Sequence, residues 1–397
     1  MSSDFFDVII VGAGPAGSCA AYELAAAGHS VGVFEEKTAP GLNVCCTGII
    51  SAECFRSLDL SPDVILTKVN AAKFFSPAGK CLRLHTENLQ AYVVHRLLLD
   101  KSLAYRAQSR GAQYFFSSPV IDIIPRKDAI QAETIRSGEK QVFAARALIL
   151  ANGFRPKLPW KLGLGKIRKF LVGAQAEIEA KDLDEPEIYF GHNVAPGSFA
   201  WLVPISANKA YVGLLSESQT KLHLQNFLKH LFEQHKIGSP DVKIQQRAIP
   251  IRTLRRSYGD RLLVIGDAAG QVKPTTGGGI YFGHLGARIA ARVLNEALDS
   301  DNLTAAYLSR YQTQWKARLG YELSSGYWVR WAYSKLNDRQ IEAIFNALAS
   351  RDMVESLLNS GRISFDWHNE LISTVLRQSS AYPWLKIRHL FSREASS

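Results

Sequence analysis

Two thiols stand side by side in Asn43-Val44-Cys45-Cys46-Thr47-Gly48, a few residues beyond a glycine-rich segment near the start of the chain. A thiol can ligate a metal, pair as a disulfide, give up a proton or fill a small space in a core. The 397-residue sequence has only five cysteines, Cys19, Cys45, Cys46, Cys54 and Cys81, irregularly spaced and without a C-x-x-C pair. That pattern disfavours structural zinc and a disulfide framework, so no metal is expected and the setting reads as reducing and cytoplasmic. Two uses of Cys46 stay open: a neutral thiol that donates a proton, or a small residue packed in a loop. Tyr211, His192 and ordered water are the other candidate donors, whereas His284, between Gly283 and Leu285, reads as a packed histidine. No Ser-His-Asp set and no working pair of carboxylates argues for hydrolysis.

The elements that must position such groups lie around them. Val8 to Val11 is an apolar, β-branched run suited to a strand buried on both faces, and Ser18 to Ala27 is a small-residue helix ended by Gly28. Between them Gly12, Gly14 and Gly17, with Ala16 in the same turn, spell G-x-G-x-x-G. The first glycine permits a tight turn, the second lets a diphosphate approach the backbone, and the third allows close helix–strand packing. The helix amides that follow face the anion. Val31 to Phe34 is the next strand, and Glu35, 23 positions after Gly12 and followed by Glu36, ends it. A carboxylate there accepts hydrogen bonds from an adenosine ribose.

A second signature lies far downstream. Leu262 to Ile265 is a buried strand ended by Gly266-Asp267, a loop from Lys273 to Ile280 follows, and Tyr281 to Leu294 has helical periodicity. An acid at a strand end can hold a ribityl or ribose hydroxyl. The Gly277, Gly278 and Gly279 amides, at the entrance to a helix, can neutralise charge developing on a flavin ring, which gives Gly278 a catalytic part. A dehydrogenase with a single nucleotide-binding unit has no use for this second element. FAD is the expected cofactor.

The two signatures together resemble the p-hydroxybenzoate-hydroxylase-like superfamily of FAD enzymes, and further stretches resemble its geranylgeranyl reductase family. Phe199-Ala200-Trp201-Leu202-Val203-Pro204 is similar to that family's aromatic-x-W-x-x-P stretch, without the usual Lys after Pro. Cys46-Thr47-Gly48 resembles its Cys-Gly-Gly loop beside the flavin, and residues 327 to 365 are similar to its helical tail. The resemblance implies that Asp267 contacts the ribityl chain, that Pro274 to Ile280 line the isoalloxazine, and that Arg96, in His95 to Asp100, reaches the cofactor. Read from the sequence alone, the lesser alternative for Arg96 is an ordinary helix-surface arginine. Phe199, Trp201, Pro204 and Tyr211 are expected around the substrate, with Trp201 near the reacting bond or, alternatively, in plain sheet core. Asn152-Gly153 stands where flavin hydroxylases carry an Asp-Gly pair that helps bind the nicotinamide. The electron donor is therefore open between NAD(P)H and ferredoxin.

The fold expected is α/β: a Rossmann-type FAD-binding domain interleaved with an antiparallel-sheet substrate domain, plus a C-terminal helical segment. Residues 1–65, 91–160 and 255–304 carry the nucleotide elements. Residues 66–90 and 161–254 hold short strand-like runs separated by turn residues, and 305–397 is the helical region. The formal charge of +11 favours anionic company, here a diphosphate, a phospholipid head or an anionic membrane, with no nucleic acid expected. No run reaches the length of a membrane span. The aromatic and basic residues between 376 and 397 suit either peripheral membrane contact or a helix packed on its own core. The leading function is saturation of carbon–carbon double bonds in an isoprenoid chain by hydride from reduced flavin. Hydroxylation of an aromatic or other hydrophobic molecule is the main alternative, and a non-redox cyclase or an electron-transfer flavoprotein are more distant ones.

Overall fold

A computed structural model describes residues 5–349 and 364–368. Its first sheet is built on five parallel strands in the spatial order Leu262–Val264, Glu139–Leu150, Phe5–Val11, Val31–Phe34 and Gln113–Phe115. Alternate residues of the central strands feed two cores. Val8, Ile10, Val33 and Ile149 face a helical layer that includes Pro15–Ala26 and Ile280–Asp299, whereas Ile9, Val11, Phe34 and Leu150 face the other side. Burial on both faces explains why these strands read as unbroken apolar runs. The front half of Glu139–Leu150 turns away into an antiparallel meander with Ile130–Arg136 and Val120–Pro125.

Several element bounds differ from the sequence reading. The first strand begins at Phe5. The first helix begins at Pro15, because a proline is preorganised for the opening turn of a helix and has no amide to leave unpaired. The helix after the second signature continues to Asp299.

The second sheet has seven strands in the order Gln245–Pro250, Phe170–Glu179, Lys209–Ser216, Phe199–Ser206, Glu187–Phe190, Ala71–Phe75 and Cys81–His85. All its pairings are antiparallel except Glu187–Phe190 with Ala71–Phe75, where the earlier hairpin joins the sheet edge. Period-two alternation divides it cleanly. Ala174, Ala200, Leu202 and Leu214 pack on the helix Thr220–Glu233 through Leu224, Phe227 and Leu228, while Gly173, Gln175, Phe199, Trp201 and Leu215 point to the opposite face. A small third sheet, Ile49–Ser51 with Ala91–Val94 and Ile65–Val69, carries the loop that contains the paired cysteines. After Asp299 come the helices Ala305–Tyr333 and Asp338–Ala349, then the short described piece 364–368. The aromatic and basic segment 376–397 lies outside the described residues. No helix among the described residues is long and apolar enough to cross a membrane.

Candidate active site

The parallel sheet brings the C-terminal ends of its strands together at the point where strand order reverses, which is where open α/β sheets bind nucleotides. Val11 pairs with Phe34 and Leu150 with Val264, so Gly12, Glu35, Ala151 and Gly266 emerge along one edge. Glu35 is set firmly there: Ala13 N donates to its Oε2 at 2.8 Å and Lys37 N to its Oε1 at 3.0 Å. A Cβ added to Gly14 would meet nothing within 4 Å, so a diphosphate has room against the helix start. Asp267 follows the strand Leu262–Val264 and pairs with Arg247, Nη2 to Oδ2 2.8 Å. Glu36 pairs with Arg155 at 2.5 Å on the outer rim.

From this edge a cavity of about 1490 Å³ runs under the second sheet. That exceeds the ~300–1,000 Å³ of ordinary small-molecule pockets and leaves room for a second ligand beside a dinucleotide. The cysteine loop forms part of its wall. Thr47 Oγ1 donates to Gln175 Oε1 at 2.7 Å, tying the loop to the second sheet. Gly48 has φ +74°, and a Cβ there would sit 2.4 Å from the Val94 carbonyl oxygen, so the loop passes this close to the small sheet only as glycine. Arg96, the first residue of its helix, salt-bridges Asp100 at 2.9 Å and also engages the Cys46 thiol. Burial opposes its charge, but Asp100 and Cys46 hold the guanidinium above its ordinary pKa. Cys45 also lines the cavity, with its thiol donating to the Gln245 carbonyl at 3.7 Å; burial and its neighbour Cys46 push it up to about 11.

Trp201 packs against Gly213 on the next strand, where a Cβ would come within 2.4 Å of the indole. Phe199 packs beside it with ring centroids 5.9 Å apart. Farther from the nucleotide edge, Phe74, Leu84, Ile188 and Phe190 form an apolar floor on the sheet. Ile341, Ile344, Phe345 and Leu348, one face of the helix Asp338–Ala349, roof it. On the cofactor loop Lys273 is buried and paired with Asp366 at 2.6 Å, and Thr275 Oγ1 shares a 2.8 Å hydrogen bond with His368 Nδ1, so the piece 364–368 straps the loop down.

Six buried side-chain polar atoms lack a partner among the described residues, and four belong to cavity-lining residues: Arg96 Nε, Asn152 Oδ1, Trp201 Nε1 and Arg330 Nε. Folded proteins pair nearly all buried polar groups, so such a concentration marks a wall built for a polar ligand. With the open face at Gly14 and the anchored Glu35, the atoms of Arg96 and Asn152 fit FAD.

The comparisons with known proteins agree. Residues 6–318 match the FAD binding domain family. A digeranylgeranylglycerophospholipid reductase of Methanothermobacter thermautotrophicus is 32% identical over 361 residues, 88% of this chain and 93% of that protein. A second reductase of that name, from Methanocaldococcus jannaschii, is 31% identical over 87% of this chain and 91% of its own. The crystal structure of a geranylgeranyl bacteriochlorophyll reductase-like protein from Thermoplasma acidophilum superposes with TM-score 0.80 at 25% identity, covering 90% of this chain and 99% of that one. The chain belongs to the geranylgeranyl reductase family of FAD-dependent oxidoreductases.

Seen as a geranylgeranyl reductase family member, the chain gathers most of the residues picked from sequence on one surface. Gly12, Gly14, Ala16, Glu35 and Glu36 line its nucleotide end, as do Asn152, Gly153, Gly266 and Asp267. Cys46, Thr47, Gly48 and Arg96 line its middle, with Gly277 to Ile280, Phe199 and Trp201. Gly17, Pro274, Pro204 and Tyr211 do not line it. Gly17 packs on the Gly12 carbonyl, and the Pro204 carbonyl accepts from Thr67 Oγ1 at 3.1 Å. His192 is exposed and pairs with Asp338 at the start of the roof helix, 3.0 Å. His284 bridges Cys19 and Ser57 in the core, where burial lowers it to about 4. The sequence reading gave no role to Gln175, Arg247 and Arg330, which lie outside the two glycine motifs, nor to Lys273, which opens the loop of the second one. The apolar periodicity of residues 341 to 348 was the one available signal for the roof.

Proposed function

We propose that this protein saturates carbon–carbon double bonds of geranylgeranyl-type chains, carried on a glycerophospholipid as the names of its relatives describe. The observation that carries the reading is the long apolar chamber continuous with the nucleotide edge, floored by Phe74, Ile188 and Phe190 and roofed by Ile341 and Phe345. An isolated alkene has no polar handle, so alignment in a dry chamber must do most of the work. When bound and reduced, FAD supplies a hydride from N5 to one alkene carbon. The Gly277 to Gly279 amides, ahead of the helix Ile280–Asp299, hold negative charge on the cofactor side. Trp201, braced on Gly213, excludes water and limits where a chain can lie.

A proton must reach the second carbon. Of the three side chains considered as donors, Cys46 alone lines the chamber. Its Sγ gives up the proton, and the Arg96 guanidinium beside it stabilises the thiolate left behind until solvent returns a proton. Dithionite-reduced holoenzyme incubated anaerobically with a geranylgeranyl lipid is expected to yield saturated product by mass spectrometry. Product formed only with oxygen and NAD(P)H, and carrying an added oxygen atom, would support a hydroxylase instead.

A further inference from the structure

Arg330 brings a positive charge into the wall of the chamber, and no carboxylate among the described residues pairs with it. It lies on the helix Ala305–Tyr333 and is only 6% exposed. Its Nη1 donates to Ser198 Oγ at 3.3 Å and Nη2 to the Gly197 carbonyl at 3.2 Å, both long and both to neutral groups, while Nε has no acceptor among the described residues. Tyr333, one turn on, uses its hydroxyl on the Ser198 carbonyl, and Glu217 acts on Arg330 only at a distance. Two other cations in the same wall have a carboxylate partner: Arg96 has Asp100 at 2.9 Å and Lys273 has Asp366 at 2.6 Å. Burial lowers the Arg330 pKa to about 10, which leaves the guanidinium charged at neutral pH.

A buried cation without a counter-charge destabilises the fold that carries it. A guanidinium fork is also shaped to grip the oxygens of a phosphate in two places at once. Four residues earlier on the same helix, Gly326 abuts the cofactor loop, where a Cβ would lie 3.4 Å from Pro274 and 3.5 Å from Thr275. One turn of helix, ~5.4 Å, separates that contact from Arg330. The charge therefore sits in the same chamber as the proposed site of reduction.

We infer that Arg330 is the receptor for the phosphate-ester group at the polar end of the isoprenoid substrate, which it binds inside the chamber. The inference rests on the isoprenoid reading above, and its test separates the two. FAD-loaded enzyme, whose nucleotide diphosphate site is filled, is assayed with geranylgeranyl diphosphate and with geranylgeraniol, which has the same chain and no anion. Losing one charged, bidentate contact should raise KM for the diphosphate ~10–100-fold in Arg330→Met, while KM for the alcohol moves less than ~3-fold and kcat is largely kept. Arg330→Lys should restore part of the difference.

Inorganic diphosphate provides a second arm. It should raise the Tm of wild-type holoenzyme and not that of Arg330→Met, whose own Tm should be no lower than wild type if the arginine serves binding rather than folding. Equal losses on both substrates, or an unchanged KM for the diphosphate, would overturn the inference. So would a diphosphate-induced Tm shift that survives in Arg330→Met. If inorganic diphosphate binds at Arg330 but the phosphorylated chain is not preferred over the alcohol, the site takes free anion and the head-group assignment fails. Turnover of neither substrate by wild type, with the Arg330-dependent Tm shift intact, would sink the isoprenoid reading and leave an anion site.

Discussion

Cys45 and Cys46 are neighbours with identical side chains, and the fold gives them different work. The Cys45 thiol is committed to the Gln245 carbonyl, whereas Cys46 meets the half-buried Arg96. Cys46→Ala should keep its flavin and lose ~10²-fold or more in turnover, the range expected for a lost general acid. Cys45→Ala should stay within a few-fold of wild type. Flavin-to-protein absorbance ratios and initial rates check both. Gly48→Ala forces a Cβ to 2.4 Å from the Val94 carbonyl oxygen at a positive φ. It should destabilise by about 2 kcal/mol or more and shed flavin, read by thermal unfolding and by the same absorbance ratio. The places of Cys46, Gly48 and Glu35 on the cavity wall were legible in sequence because each sits inside or just after a recognisable motif at a strand end. Arg247 and Gln175 were not, since only the sheet register brings Gln-Gln-Arg and Ala-Gln-Ala to the cofactor edge.

At the scale of elements, the telling pieces are the helices that roof the chamber and the strap over the cofactor loop. Strands and helices flanking the two glycine motifs could be read from period and composition, although Pro15 moved one boundary and the helix Ile280–Asp299 ran longer than its motif. The strap could not be read. Phe365-Asp366-Trp367-His368 has no periodicity, and its role depends on Lys273, Thr275 and Glu322 lying nearly fifty or more residues earlier. His368 has its pKa lowered to about 4 by burial first and then by the charge of Lys273, with the Phe365 carbonyl and Asp366 opposing. His284 is likewise lowered to about 4. A histidine whose folded pKa is below the ordinary ~6.5 binds fewer protons folded than unfolded, so its contribution is present above that pH and is lost as pH falls toward 4. Each should remove on the order of 2 kcal/mol by about pH 5. Thermal unfolding from about pH 7 to about pH 5 should show Tm falling by several degrees, and His368→Gln should flatten part of that slope. An unchanged slope in the variant would mean that the strap does not titrate.

For the whole molecule, function lies in the junction of two sheets. The parallel sheet presents a nucleotide edge because its strand order reverses between Phe5–Val11 and Glu139–Leu150. The second sheet turns one face to the helix Thr220–Glu233 and leaves the other for the chamber. The α/β class was legible because both glycine motifs follow buried strands. The single parallel pairing of Glu187–Phe190 with Ala71–Phe75 was not, because local alternation carries no information about which distant strand completes an edge. Under the proposed function these halves join, with reduced flavin at the nucleotide edge reducing an alkene in the chamber. The most direct test is a single turnover without oxygen, in which holoenzyme reduced by one equivalent of dithionite is mixed with a geranylgeranyl phospholipid. Oxidised-flavin absorbance should return in step with lipid that has gained two hydrogens per flavin. Flavin that stays reduced until oxygen is admitted, with the lipid's double bonds intact, would contradict it.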